Sequence, residues 1–308
     1  MVRESDVVIV GGGAAGLSAA LILGRARRSV VLVDDGHPRN AVVEEMHGFL
    51  SRDGVPPHTL REAADAELVR YPSIERVSAS ITSAEKRGQT YVVTLASGSQ
   101  ISSTRLLLAT GVFDQLPSID GLQERWGKSV FVCPFCDGWE HRDRRIAVYG
   151  AGRTAVELAQ EIYGWSHDVV VCADRDDLTE DDRRWIDAAG LLLKIGRPVR
   201  LAGKQAGLER IEFEDDSAVS CDALFISAPL RQHSPLVQML GCALTETQAI
   251  DVNATYETSV PGCYAAGDAV THVHQVIVAA ASGARAAIAL TSDLLQSEAA
   301  ALVRENTS

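Results

Sequence analysis

The sequence predicts an α/β protein made of two doubly wound units, and three observations carry that reading. A β-branched run over residues 6–10 ends in Gly11-Gly12-Gly13-Ala14-Ala15-Gly16 and passes into an Ala/Leu-rich helical stretch. The same grammar returns at residues 145–149, followed by Gly150-Ala151-Gly152-Arg153-Thr154-Ala155 and a second helical stretch. An acid closes the second strand of each copy, Asp34 after residues 29–33 and Asp174 after residues 168–172. Strand, Gly-rich turn, helix, strand and acid make a βαβ unit, and its repetition implies two Rossmann-like nucleotide-binding domains, each a three-layer sandwich.

The elements follow in order. The first helix is expected over residues 17–26. Residues 91–95, with Gly98 and then Ile101, read as a hairpin inserted in the first unit. Residues 106–111 are an apolar strand ending in a turn, and residues 114–121, with Pro117, read as a linker. A second connection is expected at residues 240–245, then a short strand and turn over 259–268 and a helix over 275–295. The first domain is therefore discontinuous, residues 1–112 with 245–308, and the second spans 113–244.

The chain has 308 residues, 46% hydrophobic and 23% charged, as expected of a globular protein of two domains. A formal net charge of −12 with no compensating basic run argues against a nucleic-acid partner, because phosphate would be repelled. No apolar run is expected to reach the length of a bilayer crossing, and residues 7–10 are too short for a signal-peptide core, so a cytoplasmic protein is expected. Structural disulfides are uncommon there. Of the six cysteines only Cys133 and Cys136 are close together; Cys172, Cys221, Cys242 and Cys263 read as small buried apolar side chains.

Each glycine of the first turn has a task. Gly11 allows the tight turn, Gly13 lets the backbone approach a pyrophosphate, and Gly16 packs helix on strand. The helix N-terminus then offers the N–H groups of Ala14 and Ala15 to phosphate. Asp34, with Asp35 beside it, can accept from ribose hydroxyls. Two further segments favour FAD over NAD in this unit. Ala109-Thr110-Gly111 ends an apolar strand, and Gly267-Asp268 precedes the last helix. Asp268 can bind a ribityl hydroxyl, and the helix N-terminus at His274, Gln275 and Val276 can stabilise negative charge on a reduced flavin.

The second turn, Gly150, Gly152 and Ala155, repeats the fingerprint with a tolerated alanine. Asp174 there favours a 2′-hydroxyl over a 2′-phosphate, so the site either prefers NADH to NADPH or is a retained fold that binds no nucleotide. Cys133-Pro134-Phe135-Cys136 is C-x-x-C, a spacing that brings two sulfurs within bonding reach at a helix start. Zinc would need two further ligands, usually a second close pair, and the sequence has none. Asp137 can move protons to and from the pair if burial raises its pKa, or it can be a helix-start cap.

With these residues in place the chain resembles the low-molecular-weight thioredoxin reductase family from end to end, through Gly11–Gly16, Ala109–Gly111, Cys133–Cys136 with Asp137, Gly150–Ala155 and Gly267–Asp268. The resemblance implies an FAD domain made of both chain ends, a homodimer, and electron flow between the flavin and the cysteine pair. It implies that Cys136 faces the flavin and Cys133 exchanges with substrate. Two departures point within the family. The basic cluster of the NADPH-dependent reductases is replaced by Asp174-Arg175-Asp176-Asp177. Arg39-Asn40, His47 with residues 48–53, and Trp139-Glu140 look like the FAD-dependent dithiol oxidases of the gliotoxin and holomycin type, and Arg39, Asn40 and His47 join the expected cofactor residues on that ground. That branch passes electrons from a small-molecule dithiol to oxygen without a nicotinamide. Its members usually carry His after the second cysteine, whereas this chain has Asp137, as the reductases do. The alternative is an NAD(P)H-dependent reductase acting on a disulfide, such as that of a thioredoxin-like protein.

Overall fold

A computed structural model describes residues 3–306, which form two compact units. Of the described residues, the first unit takes 3–41, 57–113 and 230–306, and the second 42–56 and 114–229. Against the expected domains of 1–112 with 245–308 and of 113–244, residues 42–56 fold with the second unit and the later crossing falls at 229/230. The reason is packing: Leu236, Val237 and Cys242 are buried in a cluster with Val8, Val10, Val93 and Leu108, so residues 230–244 fold with the first unit.

In the first unit, β1 (Arg3–Val10) leads through α1 (Ala14–Arg25) to β2 (Val30–Asp34), α2 (Pro57–Leu68), β3 (Ile74–Ser78), the hairpin β4 (Ile81–Arg87) and β5 (Thr90–Leu95), β6 (Gln100–Leu108) and β7 (Val112–Asp114). The sheet order is β3-β2-β1-β6-β5-β4, and β17 (Cys263–Ala265) joins β6. β1 lies between two parallel neighbours and pairs Val10 with Val33 on one side and Leu108 on the other. β17 pairs Ala265 with the same Leu108. Four parallel strands thus end level with one another. Alternate residues of β1 then face opposite ways, Val7 and Ile9 toward α1 and α8 (Val276–Glu305), Val8 and Val10 toward α7 (Leu236–Leu240) and the β4–β5 hairpin.

α8 (Val276–Glu305) continues ten residues past the expected end at 295, and α1 begins at Ala14, earlier than expected. The expectation that no apolar run reaches bilayer length is also corrected. α8 is 30 residues long with a mean hydropathy of 1.3 over its most apolar window, enough by length and composition. Its Gly283, Ala286, Ala287, Leu290 and Leu294 are nevertheless buried, in the cluster that α1 completes. Small residues make this approach possible: a Cβ on Gly283 would lie 2.0 Å from the Ala15 carbonyl oxygen. Arg105 of β6 and Tyr264 of β17 both bond Asp293 of α8, which fixes the helix lengthwise.

In the second unit, β8 (Val130–Phe131), β9 (Ile146–Gly150), β10 (Val169–Ala173), β11 (Leu192–Ile195) and β15 (Ala223–Ile226) form a parallel sheet in the order β11-β10-β9-β15-β8. α5 (Arg153–Ile162) and α6 (Glu180–Ala188) cover one face, and the antiparallel meander β12 (Pro198–Ala202), β13 (Arg210–Phe213) and β14 (Ala218–Ser220) covers the other. Two short helices, α3 (Leu122–Arg125) and α4 (Pro134–Asp137), flank β8, and β16 (Leu230–Gln232) pairs with β7. The expected three-layer α/β architecture with two Rossmann-like units is observed. The four isolated cysteines are buried, as expected.

The α1–α8 contact gives the first test. We expect Gly283→Ala to lower stability by about 1–3 kcal/mol, the usual cost of forcing a methyl into packed backbone, read as a fall in Tm. An unchanged Tm would show that α1 and α8 are not locked there.

Candidate active site

The aligned strand ends of the first unit assemble most of the expected cofactor residues. Gly11 follows β1, Asp34 ends β2, Ala109 follows β6, and Gly267 lies just past β17. The amides of Gly11, Ala109 and Ala266 donate to Val33 O (2.8 Å), Val10 O (2.8 Å) and Leu108 O (3.0 Å) respectively. Gly11 adopts φ +103°, and a Cβ there would lie 2.3 Å from Ala109 O, so only glycine allows this approach. Gly16 and Gly267 close the packing, against Gly11 O and the Ala15 methyl.

Gly13 is different. Nothing lies within 4 Å of its Cβ direction, its φ of −75° suits any residue, and no side chain caps the helix it precedes. Space, uncapped helix N–H groups and the absence of an acid in the first turn of α1 fit a pyrophosphate. Thr110 supplies a second sign of fit: its buried hydroxyl has no hydrogen-bond partner among the described residues. FAD therefore fits this edge, with Gly13, Ala14, Ala15 and Thr110 the residues that would hold it.

The acids are partly engaged within the protein. Asp34 Oδ1 accepts from the Gly12 amide at 3.0 Å and Oδ2 pairs with Arg61 Nη2 at 2.6 Å. Arg61, on α2, carries no motif and escaped the sequence reading. Asp35 faces His37 at 3.6 Å. Arg39 Nη1 pairs with Asp268 Oδ2 at 3.3 Å, and both side chains are mostly shielded. Asn40 follows Arg39 in the same short 3-10 turn, and Gly111 has φ +64°. His274 Nε2 lies 2.8 Å from Thr271 O, and Gln275 is the residue before α8, which begins at Val276. The Gly267 amide donates to Ser282 Oγ at 2.7 Å, a contact no local pattern foretold.

In the second unit, Gly150 and Cys133 lie beyond the same edge of the parallel sheet, since Phe225 pairs with both Val148 and Phe131. The Gly152 turn, however, is filled. Asp177 Oδ1 lies 1.7 Å from where a Gly152 Cβ would be, and Arg175 Nε holds Asp177 Oδ2 at 2.7 Å. The Arg175 guanidinium and the backbone N–H of Arg153, the first residue of α5, keep the Asp177 carboxyl below the usual carboxylate range. The Gly152 amide is taken by Asp174 Oδ1 at 3.0 Å. Ala155 is fully buried against the sheet, as the third position of the fingerprint requires. A dinucleotide pyrophosphate would meet the exposed Asp177 carboxylate at this helix end.

Cys133 and Cys136 form a disulfide with Cα atoms 5.3 Å apart. Cys133 is the residue before α4, and Pro134 opens the helix with the φ it needs. Asp137 closes α4, so it is no helix-start cap; its amide donates to Cys133 O at 3.2 Å. Burial pushes the Asp137 carboxyl up to about 7; Glu140 adds to the rise and His47 opposes it. His47, expected among the cofactor residues, falls in this second unit, where its Nε2 lies 3.7 Å from Glu140 Oε1. Phe135 and Trp139 are exposed beside the disulfide, and Arg142 stacks on Trp139 at 4.0 Å.

Comparison with known proteins agrees with this geometry. The pyridine nucleotide-disulphide oxidoreductase family matches residues 5–283. The chain is 31% identical to the thioredoxin reductase sirT of Leptosphaeria maculans, across 96% of each protein. The crystal structure of HlmI superposes with a TM-score of 0.95 at 37% identity, covering 100% of this chain and 98% of that one. A putative thioredoxin reductase TrxB from Bacillus anthracis gives 0.91 at 29% identity, covering 96% and 99%. The chain belongs to the pyridine nucleotide-disulphide oxidoreductase family, as a thioredoxin-reductase-like flavoprotein that uses FAD and acts on sulfur groups.

Proposed function

We propose that this flavoprotein is a dithiol oxidase, which closes a small-molecule dithiol to a disulfide and passes the electrons to oxygen. The observation that carries the reading is Asp177 seated on the Gly152 turn, which takes the place of a nicotinamide cofactor's pyrophosphate while the Cys133–Cys136 pair and Asp137 stay intact. A 2′-phosphate would in addition meet Asp174, whose Oδ1 already accepts from the Gly152 amide.

The chain's own residues account for the sulfur chemistry. A substrate thiol gives its proton to ionised Asp137 and attacks Cys133 Sγ, forming a mixed disulfide. Cys136 Sγ leaves as a thiolate and takes a proton from Asp137. The second substrate thiol then gives its proton to Asp137 and displaces Cys133, which takes that proton as it leaves; the product departs as a disulfide, and both protein sulfurs are reduced. Bound FAD supplies the two-electron acceptor that returns the pair to its disulfide and hands the electrons to oxygen as hydrogen peroxide. The reading includes a homodimer, for which the exposed Ile277, Ile288, Leu295 and Leu302 of α8 offer an apolar face, and a cytoplasmic location.

Three measurements test it. Gly13→Val has room in the protein, so we expect a folded but colourless variant beside a yellow wild type with one FAD per chain; full flavin retention would remove Gly13 from the cofactor site. Mixed anaerobically, a suitable dithiol should bleach the flavin quickly and air should restore it with peroxide formed. NADPH and NADH should act poorly, and stoichiometric bleaching by NADPH within seconds would overturn the oxidase. Asp137 must be ionised to accept a proton, and burial keeps it protonated up to about 7. Turnover should therefore rise with pH through about 7, and Asp137→Asn should lose that limb and slow turnover about 10²-fold or more, the usual scale for acid/base loss.

A further inference from the structure

Residues 42–56 leave the first unit's sequence and fold onto the second, and the excursion is tightly built. Met46 is 4% exposed and pairs with Val55 as an isolated antiparallel bridge. The Met46 amide donates to Val55 O and the Gly54 amide to Met46 O, both at 3.0 Å. Asp53 Oδ1 accepts from the Gly48 amide at 2.9 Å. At the start of the segment, Val42 packs against Gly127, where a Cβ would lie 2.6 Å from Val42 O. This frame holds one side chain inward. His47 is 19% exposed, and carboxylates surround it. Glu45 Oε2 lies 3.8 Å from Nε2, Glu140 Oε1 3.7 Å from Nε2, and Asp53 Oδ1 3.5 Å from Nδ1.

Glu140 lies three residues after Asp137, at the close of the turn that carries the disulfide. The groups that face Asp137 are thus Glu140 from its own segment and His47 from the excursion. His141, next along, is turned between Phe131 and Phe225, and burial lowers its pKa. Arg142 lies on the Trp139 ring. His47 is the cation-forming group opposed to Asp137 and Glu140.

We propose that His47 is a positioning residue for Asp137: held near Glu45, Asp53 and Glu140, its imidazole sets the charge beside the acid that serves the disulfide. The inference rests on the acid/base role given to Asp137 above. It follows from charge alone that a protonated His47 favours ionised Asp137, whereas Glu140 disfavours it, and the two influences on Asp137 have those opposite signs. A residue that only held the loop in place would not impose a sign.

The test is the pH dependence of disulfide opening, with no oxygen and no turnover. The flavoprotein is mixed with dithiothreitol, adjusted at each pH to a constant thiolate concentration, and free Cys133 and Cys136 are counted by rapid alkylation and mass spectrometry. The attacking sulfur arrives without its proton, so the leaving Cys136 thiolate needs the proton already on Asp137. The wild-type rate should fall as pH rises through about 7. His47→Gln and His47→Asn should move that fall upward by roughly half a unit or more, and Glu140→Gln should move it downward, the directions set by charge on a neighbouring acid. Asp137→Asn should remove it in every background. A wild type with no such fall, or an Asp137→Asn variant that keeps it, would overturn the acid/base role itself. A fall that Asp137→Asn abolishes but both His47 variants leave in place would overturn the role of His47 alone, and unchanged Tm values would show that the loop still folds.

Discussion

Everything in the first unit depends on one alignment, the pairing of Val10 with both Val33 and Leu108. That register brings the ends of β1, β2 and β6 to one level, and β17 joins through Leu108. At an edge of parallel strands the backbone groups that follow are free to meet a ligand, and the reversal of strand order on the two sides of β1 opens the crevice there. The close approaches of Gly11 to Ala109 and of Gly283 to Ala15 then hold the turn and the last helix against this edge at distances no larger residue permits.

The two Gly-rich turns share a sequence pattern and differ in what charge meets them. At Gly13 there is open space, no acid in the first turn, and the nearest carboxylate, Asp34, is neutralised by Arg61 and the Gly12 amide. At Gly152 the α5 N-terminus already has an anion, Asp177, supplied by the chain itself and oriented by Arg175. A helix N-terminus is indifferent to whether its negative charge comes from a carboxylate or a phosphate. One copy of the motif is therefore open, and the other meets a carboxylate supplied by its own fold.

The redox turn is governed by desolvation. Asp137 sits where charge is costly, with Glu140 of like charge near it, and its carboxyl consequently titrates near neutrality. The excursion over residues 42–56 answers that cost by bringing an imidazole rather than a lysine or arginine.

The sequence by itself determined the local chemistry: two Gly turns after β-branched strands, the Cys133–Cys136 spacing and the acid after it, and the alternation that makes β1 and β6 central. These are short-range properties, set by backbone sterics and side-chain period, and they were legible because each constrains neighbours in the chain. Only the tertiary structure decided where the chain crosses at 229/230, because the burial of Leu236, Val237 and Cys242 depends on a sheet built from distant segments. Only it decided that Asp177 meets the second turn, that Arg61 holds Asp34, and that His47 lies beside Glu140. Those are charge contacts between segments remote in sequence, and no local pattern encodes a charge's partner once the chain folds back on itself.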